Sequence, residues 1–344
     1  MSQPATNRIG RLTRDLLERG YVSTAGSVLS TVARSVQAGI IKQRLAELDD
    51  EAARLGESGD KLSSTNPVLR ALLADLDTVL IGNARRLNQV AGDVQANGVT
   101  LAQSLTQRLA GMDTQAAQRI GIVWNQPDPE AVNLLVNYVD GPGWAAEMRR
   151  YPQQVIDTVR NQALRGIING WHPSVTAEII AQMTEGVTIS QADNLLRTLH
   201  LQSYRGATAL NQQANSDIIT KQYRVAVLDD RTCLSCIALH GTEIPVGQRV
   251  DDHHRGRCTS LTEVVGLPPK QITGGADWFN GLPEDRQRII AGHANYEALQ
   301  AGAVVLGDFV QEYQDQAFGT MVREASLKGI LGDRARDFYR YPSN

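Results

Sequence analysis

The chain has 344 residues, enough for about two domains whose cores need no disulfides. Its 34 basic and 37 acidic side chains give a net charge of -3, which excludes a chain that is basic throughout, as dedicated nucleic-acid binders are. Three cysteines cannot close a disulfide framework, and no run approaches the ~18 apolar residues that span a bilayer. We therefore expect a protein without a membrane-spanning segment, whose cysteines are reduced or bind a metal.

The N-terminal third lacks aromatic side chains: residues 22–123 contain no Phe, Trp or Tyr. Because aromatic residues supply large buried areas, this stretch is more typical of a slender helical assembly than of a globular core. Apolar side chains recur every three to four residues over 29–55 and over 69–94, which is the spacing of amphipathic helices. Asn66 and Pro67 suit the N-cap and the first position of the second helix. We expect the two helices to form an antiparallel hairpin.

A third apolar stretch over 101–120 continues the pattern until the segment NQPDP interrupts it. We therefore predict an elongated, coiled-coil-like helical arm over residues 1–125. Its long apolar stripes favour docking on a partner chain, with a structural spacer as the alternative. The first 45 residues are rich in cations, which form a solvated face or contact DNA or an acidic partner. These cations are Arg8, Arg11, Arg14, Arg19, Arg34, Lys42 and Arg44, against Asp15 and Glu18.

A second helical domain is predicted over residues 126–218. Apolar spacing indicates a helix over 152–167, a shorter one over 173–183 and a third over 190–216. His200 lies in the third helix, where a lone histidine is more often a packed residue than a metal ligand.

All three cysteines lie close to a pair of histidines. Two residues separate Cys233 from Cys236, and Cys258 follows His253 and His254 after a short gap. Zinc takes four tetrahedral ligands at ~2.0 to 2.3 Å, and a Cys-x2-Cys turn presents two thiolates together. We predict a zinc site formed by Cys233, Cys236, His253 and Cys258, with His254 as the alternative to His253. The competing interpretation is that three reduced cysteines share a small core.

A β-hairpin is predicted around these cysteines. Alternating side chains over 223–227 indicate a half-buried strand, and His240-Gly241 indicates a turn into a second strand at 242–244. The result is a zinc-stapled β-hairpin module over residues 219–268. The fold class we expect is mainly α with this small β-hairpin zinc module (α+β).

The zinc site is expected to be structural, because a filled tetrahedron leaves no position for a reactive water. The two histidines superficially resemble those of a His-metal finger nuclease, but residues 259–266 lack the Asn and His which that motif needs. A zinc deaminase would need a His-x-Glu before a Pro-Cys-x2-Cys pair, and this chain has neither motif. A cysteine nucleophile with a histidine base is a further alternative. We expect a protein that is not an enzyme.

Several motifs follow one another in a set order. They are Arg197-Thr198 on a helix, a strand at 225–228, the run from Asp229 to Cys236 (DDRTCLSC), Gly241 and the run from His253 to Cys258 (HHRGRC). In this order they resemble the signature of the Mu F-like minor head proteins of tailed phages, also called head morphogenesis proteins.

The resemblance covers residues 153–332 and includes a similar tail from Ala276 to Thr320. Many relatives end the motif with His-Pro-x-Cys-Arg-Cys, whereas this chain has His254 at the proline and Gly256 at the first of those cysteines. The ligand set must therefore use Cys258.

The resemblance implies a low-copy virion component at the portal vertex, present in several copies per particle and in the host cytoplasm during assembly. The implied partners are the portal protein and the capsid, with double-stranded DNA as a further partner during packaging or ejection. The alternative function is a zinc-dependent nuclease or toxin. Positions at which DNA contact would be tested are the basic N-terminal stretch and Arg323, Lys328, Arg334, Arg336 and Arg340.

Two smaller expectations complete the prediction. Asp230 and Arg231 are expected to brace the cysteine turn through hydrogen bonds. Residues 269–344 are expected to form a C-terminal helical segment packed by aromatic side chains, namely Trp278, Phe279, Tyr296 and Phe309.

Overall fold

The computed structural model describes residues 5–339, without the side chains of residues 5–13 and of Leu135. Arg340 and the side chains of Arg8 and Arg11 therefore lie outside the described part. Helices make up 65% of the chain and strands 8%, so the prediction of a mainly α protein with a small β part is confirmed, and the strands form small antiparallel sheets. No helix among the described residues is long and apolar enough to cross a membrane.

The helices alternate with five short strands late in the chain. The helices are α1 (Ala5–Gln37), α2 (Gly39–Ser58), α3 (Pro67–Ala110), α4 (Gln115–Ile120), α5 (Pro129–Val136), α6 (Pro142–Ile168), α7 (Pro173–Gln213), α8 (Leu234–Leu239), α9 (Gly275–Asn280), α10 (Glu284–Ala291), α11 (His293–Gln300) and α12 (Leu327–Leu331). The strands are β1 (Ile219–Val225), β2 (Glu243–Ile244), β3 (Thr259–Val264), β4 (Val310–Asp315) and β5 (Gly319–Glu324).

The described chain divides into two compact units, each assembled from non-consecutive segments. The helical unit contains Tyr21–Gln95 and Tyr138–Leu199. The site unit contains α1 up to Gly20, Ala96–Asn137 and the chain from His200 onward. The sequence predicted four consecutive segments instead, because composition changes mark positions along the chain and carry no signal for contacts between distant segments.

The helical unit contains the predicted antiparallel hairpin. Asn66 caps α3 as expected, since its Oδ1 accepts the amide of Val68 at 2.9 Å. Arg44 Nε donates to Asp75 Oδ2 at 2.6 Å, and Asn83 Nδ2 donates to Ser35 Oγ at 2.8 Å. Between the first contact and the second, the residue numbers fall from Arg44 to Ser35 on one side and rise from Asp75 to Asn83 on the other. The two segments are therefore antiparallel.

One helix boundary in this hairpin differs from the prediction. The first helix is broken between α1 and α2, where Gly39 has a φ of +62°. Glycine adopts this left-handed conformation without a Cβ penalty, so the chain can turn there. Helix α3 continues from the second apolar stretch into the third, in keeping with the continuing pattern, and ends at Ala110.

A single long helix, α7, replaces the two helices predicted over 173–216. The expected break near Gly186 is absent, because one glycine inside a helix costs only about 1 kcal/mol. The hydroxyls of the buried residues Thr184 and Thr188 donate to the carbonyls of Ile180 and Thr184 inside the helix. Their polar groups are thus satisfied without interrupting α7. Helix α6 begins at Pro142 and continues through Pro152.

The site unit holds a three-stranded antiparallel sheet in the order β2-β1-β3. The predicted pairing of β1 with a second strand is confirmed, with Tyr223 opposite Glu243. Strand β3 was not predicted, and it pairs with the other edge of β1, with Tyr223 opposite Leu261. The link between β1 and β2 contains the short helix α8 in addition to the expected turn at Gly241, whose φ is +83°.

The C-terminal segment packs on α8. Phe279, Phe309 and Tyr296 are buried with Leu234 and Ile237, and Trp278 packs at the edge, so the predicted aromatic packing is confirmed. The prediction of an all-helical C-terminal segment is wrong, because β4 and β5 form an antiparallel hairpin. The tight turn at Gly319, with a φ of +74°, joins two strands too short to give a clear periodic signal.

Candidate metal centre

The first two cysteines lie at the start of α8. Cys233 is the N-cap residue and Cys236 is in the first turn. Residues three apart in a helix lie on the same side, so both thiols point in the same direction. The expected cysteine turn is therefore the first turn of a short helix.

The loop before β3 brings the remaining predicted ligands to these thiols. His253 Nε2 lies 3.4 Å from Cys233 Sγ and 3.6 Å from Cys236 Sγ. Cys258 Sγ lies 3.2 Å from Cys236 Sγ. The possible ligand atoms form two groups that share Cys236, each with all atoms within 4.8 Å of one another. One group is Cys233, Cys236 and His253, and the other is Cys236, Asp252 and Cys258.

The two neighbouring histidines point to different partners. His253 Nδ1 donates to the carbonyl of His254 at 2.8 Å, which directs Nε2 toward the thiols. A hydrogen bond from the second ring nitrogen is the usual support of a metal-binding histidine. His254 Nε2 instead contacts Asp315 Oδ2 at 3.1 Å, beside the ring of Phe318. Of the two candidates, the structure places His253 at the cysteines.

The closest contacts in the cluster can be compared with the dimensions of a tetrahedral site. A metal with bonds of ~2.3 Å to sulfur and ~2.0 Å to nitrogen holds these atoms about 3.5 to 3.8 Å apart. The three short contacts, Cys233–His253, Cys236–His253 and Cys236–Cys258, range from 3.2 to 3.6 Å and are close to these values. Cys258 belongs to the second group, so the two groups would have to move closer together for all four side chains to bind one ion. Cys233, Cys236, His253, Asp252 and Cys258 therefore lie close enough together to bind a metal.

A buried ionic network surrounds the thiols on the side of the sheet. Asp252 is fully buried and pairs with Arg205 from α7, whose Nη2 lies 2.9 Å from Oδ2. Arg224 from β1 lies 3.6 Å from Oδ1 of the same carboxylate and 4.0 Å from Cys236 Sγ. Both guanidinium groups are almost entirely buried. Burial alone would raise the pKa of Asp252, but the positive charges of Arg205, His253 and Arg224 hold it well below its usual range.

Cys233 and His253 form a strongly polarised pair in the metal-free chain. Hydrogen bonds from Cys236 and then from His253 lower the pKa of Cys233 to about 4, against the effect of burial. Burial opposes protonation of His253, but the Cys233 contact and the Asp252 charge raise its pKa to about 10. The neighbouring sulfurs and burial raise the pKa of Cys236. One thiol is thus ready to bind a metal as thiolate, and Cys236 gives up its proton on binding.

The bracing residue of the cysteine helix is Asp229 rather than Asp230. Asp229 accepts the amide of Arg231 at 3.0 Å and both guanidinium nitrogens of Arg257 at 2.6 Å. Asp230 pairs with Arg286 on the surface. The Arg231 side chain is exposed, and only its backbone contributes to the brace.

Four side chains that support the site were missed in the sequence. They are Arg205, Arg224, Asp252 and Glu324, whose Oε2 accepts the amide of Leu234 at 2.6 Å. Of these, Arg205 is the residue that the sequence could have indicated, because a cation among the apolar positions of α7 needs a buried partner. Neither ligand group includes His200, which is buried in α7.

Several cations predicted to contact DNA are paired with acidic side chains. Arg44 contacts Glu47 and Asp75, and Arg14 contacts Asp15 and Asp229. Arg336 pairs with Asp333 at 3.4 Å, and Arg323 lies over the ring of Tyr313. These contacts lower the net positive charge that the described part of both stretches presents.

Comparisons with known proteins identify no relative of this chain. A scan against protein-family models, a search of curated proteins and a search of solved structures each gave no match. The functional interpretation therefore depends on the residues of the site and on the motif order in the sequence.

Proposed function

We propose that Cys233, Cys236, His253 and Cys258 form a structural zinc site. The observation that carries this proposal is the charge of the buried groups around the thiols. Arg205 and Arg224 bring two positive charges into the interior, and Asp252 supplies one negative charge. One buried positive charge is left over, and a buried charge without compensation is strongly unfavourable.

A zinc ion with three thiolates and one neutral imidazole supplies the missing charge. That complex carries one net negative charge, which balances the excess of the two arginines. A pair of Cys233 thiolate and His253 imidazolium has no net charge and leaves the excess in place. Arg205 Nη1 and Arg224 Nε are buried without hydrogen-bond partners, and an anionic cluster nearby gives them favourable electrostatic surroundings.

Four protein ligands fill a tetrahedral zinc ion, so the proposed role of the metal is to hold the module together. The ligands come from the start of α8 and from the loop before β3, two segments that the small sheet and the ion pair between Asp229 and Arg257 also connect. When bound, zinc would supply folding energy to this module. No chemical step is assigned to the site.

At the level of the whole protein, we propose a minor head protein of a tailed phage that docks at the portal vertex. Support comes from the order of the motifs: Arg197-Thr198, the strand, Asp-x-Arg-Thr-Cys-x2-Cys and the closing His-x4-Cys. The convergence of the cysteines and His253 around Cys236 agrees with one shared role for the last two motifs. Contact with double-stranded DNA is part of the same proposal.

Zinc content tests the metal assignment. The purified chain should contain about one zinc per molecule, and His253→Gln should lose it together with thermal stability. His254→Gln is the matched control, because that side chain contacts Asp315 instead, and it should retain the metal. Zinc loss in the control alone would reverse the assignment.

A Cys233→Ser chain that stays as stable as the parent but loses a nuclease or toxin activity would favour the alternative function.

Particle composition tests the head-protein assignment. Quantitative mass spectrometry of purified particles of the parent phage would count this chain relative to the portal and major capsid proteins. We expect several copies per particle, at or below the number of portal subunits. Absence from mature particles would contradict the proposal that this chain is a virion component.

A further inference from the structure

We infer that Asp252 is a positioning residue that shapes the ligand loop, residues 252–258, around its own carboxylate and does not bind the metal itself. This inference rests on the zinc site proposed above. The loop carries two of the four proposed ligands, and Asp252 precedes the first of them directly. Its side chain is completely buried, so its contacts are all with the protein.

The carboxylate contacts the backbone of both ligands in the loop. Asp252 Oδ1 accepts the amide of His253 at 2.9 Å, and Oδ2 accepts the amide of Cys258 at 3.0 Å. The two bonds attach the beginning and the end of the loop to one rigid group. Because backbone position determines where a short side chain can reach, these bonds set the separation of the imidazole from the Cys258 thiol.

Two buried arginines hold the carboxylate in turn. Arg205 Nη2 donates to Oδ2 at 2.9 Å, and Arg224 Nη2 lies 3.6 Å from Oδ1. Arg205 also donates to the carbonyls of Gly256 and Cys258, at 2.6 and 2.9 Å. The loop is therefore fixed through its side chain and through its backbone to α7 and β1.

Three hydrogen bonds and a longer ion pair occupy most of the acceptor positions of the carboxylate, which disfavours metal ligation. A carboxylate offers about four lone-pair directions, and two amides and two guanidinium groups face them. Cys236 Sγ, at 3.4 Å, is a further neighbour of Oδ1. Metal ligation by Asp252 would require the loss of at least one buried charged contact, whereas three thiols and His253 are free to supply four ligands.

Gly256 shows how closely the loop encloses the carboxylate. A Cβ atom added at Gly256 would lie 2.2 Å from Asp252 Cγ and Oδ2. Its amide donates to the carbonyl of His253 at 2.9 Å, and the preceding residue, Arg255, has a φ of +58°. The loop closes in this way only if residue 256 has no side chain.

Asp252→Asn in the full chain tests the inference, with zinc and cobalt(II) as probes. Asn keeps the shape of the side chain but removes its charge and one acceptor oxygen. Competition with a chelating dye should show zinc affinity reduced about 10- to 100-fold, as for other groups that support metal ligands. The cobalt(II) absorption bands, which report the ligand atoms, should keep the form of three sulfurs and one nitrogen. Unchanged affinity, or altered cobalt bands, would overturn the inference.

Gly256→Ala provides a second test that removes no charged group. Its methyl group displaces the carboxylate, so we expect weaker zinc binding with unchanged cobalt bands. Gly307→Ala is the matched control, because a Cβ there meets no atom within 4 Å and zinc affinity should stay at the parental value. If Asp252→Asn fails to fold, Gly256→Ala decides the question. A parent chain that binds no zinc would refute the proposed function, whereas a zinc-binding parent with equally tight variants would refute only the role of Asp252.

Discussion

His240 is a buried histidine in the site unit that stays neutral. Burial lowers its pKa to about 4, and its Nδ1 accepts the amide of Ala226 at 2.9 Å. In the unfolded chain its pKa is near 6.5. Between these two values the unfolded state binds more protons than the native state, so stability rises with pH across this window and is lost as pH falls through it.

We predict that this residue alone lowers the free energy of unfolding by about 3 kcal/mol between pH 6.5 and pH 4. His240→Asn, whose side-chain oxygen can accept the same amide but does not titrate, should flatten the curve over that window. Chemical denaturation of both metal-free chains at several pH values measures the difference. Parallel curves for the two chains would contradict the assignment.

The candidate ligands that the structure brings together could be named from the sequence, whereas most of the residues that support them could not. The residue type alone marks a cysteine or histidine as a possible metal ligand, and the spacing of Cys233 and Cys236 indicated that their thiols lie together. The role of Asp252 depends on Arg205, which lies 47 residues earlier in the chain. An arginine in a helix and an aspartate in a loop are usually surface residues. The position of Arg205 among apolar residues indicates a buried partner, but only the folded contacts identify that partner as Asp252. The choice of Asp229 over Asp230 as the brace of α8 was missed for the same reason, because it depends on distant partners, Arg257 and Arg286.

Close helix packing in the site unit gives a prediction about glycine. Gly98 in α3 faces α7 so closely that a Cβ would lie 2.5 Å from the carbonyl oxygen of His200. Gly92 in the same helix has no atom within 4 Å of such a Cβ. Gly98→Ala should lower the free energy of unfolding by about 1 to 3 kcal/mol, since a backbone atom cannot move aside easily.

Gly92→Ala is the matched control, because it makes the same chemical change in the same helix. It should raise the free energy of unfolding by about 1 kcal/mol, through the better helix propensity of alanine. Denaturant midpoints of the two variants measure both effects. Equal shifts of the same sign would show that packing on α7 does not restrict residue 98.

Helices with strong periodicity were the most predictable elements. The interruptions of these helices were harder to predict, because a glycine can lie at the break between two helices, as Gly39 does, or inside one helix, as Gly186 does. Local sequence does not decide between these outcomes; tertiary packing does. Strand β3 was missed because it is buried on both faces, which removes the alternation that marks a half-buried strand.

At the scale of the molecule, all the proposed metal ligands belong to one of the two compact units. The supporting residues Arg205, Arg224, Asp252 and Glu324 belong to the same unit. The core of the helical unit is built from leucines and aromatic side chains, with a hydrogen-bonded hairpin of α1, α2 and α3. Its stability comes from these contacts, whereas the site unit combines a small sheet with the proposed metal site.

Metal removal should therefore act on the two units unequally. Treatment with a chelator should speed amide hydrogen exchange about tenfold or more in peptides from residues 219–264, because the metal no longer joins α8 to the ligand loop. Peptides from residues 39–94 should exchange at the rate of the metal-loaded protein, because their hydrogen bonds and packing involve no ligand. Cys258→Ser should reproduce the effect without a chelator. Equal acceleration in both regions would mean that the units open as one cooperative body, in which case the metal stabilises the whole chain and not a local module.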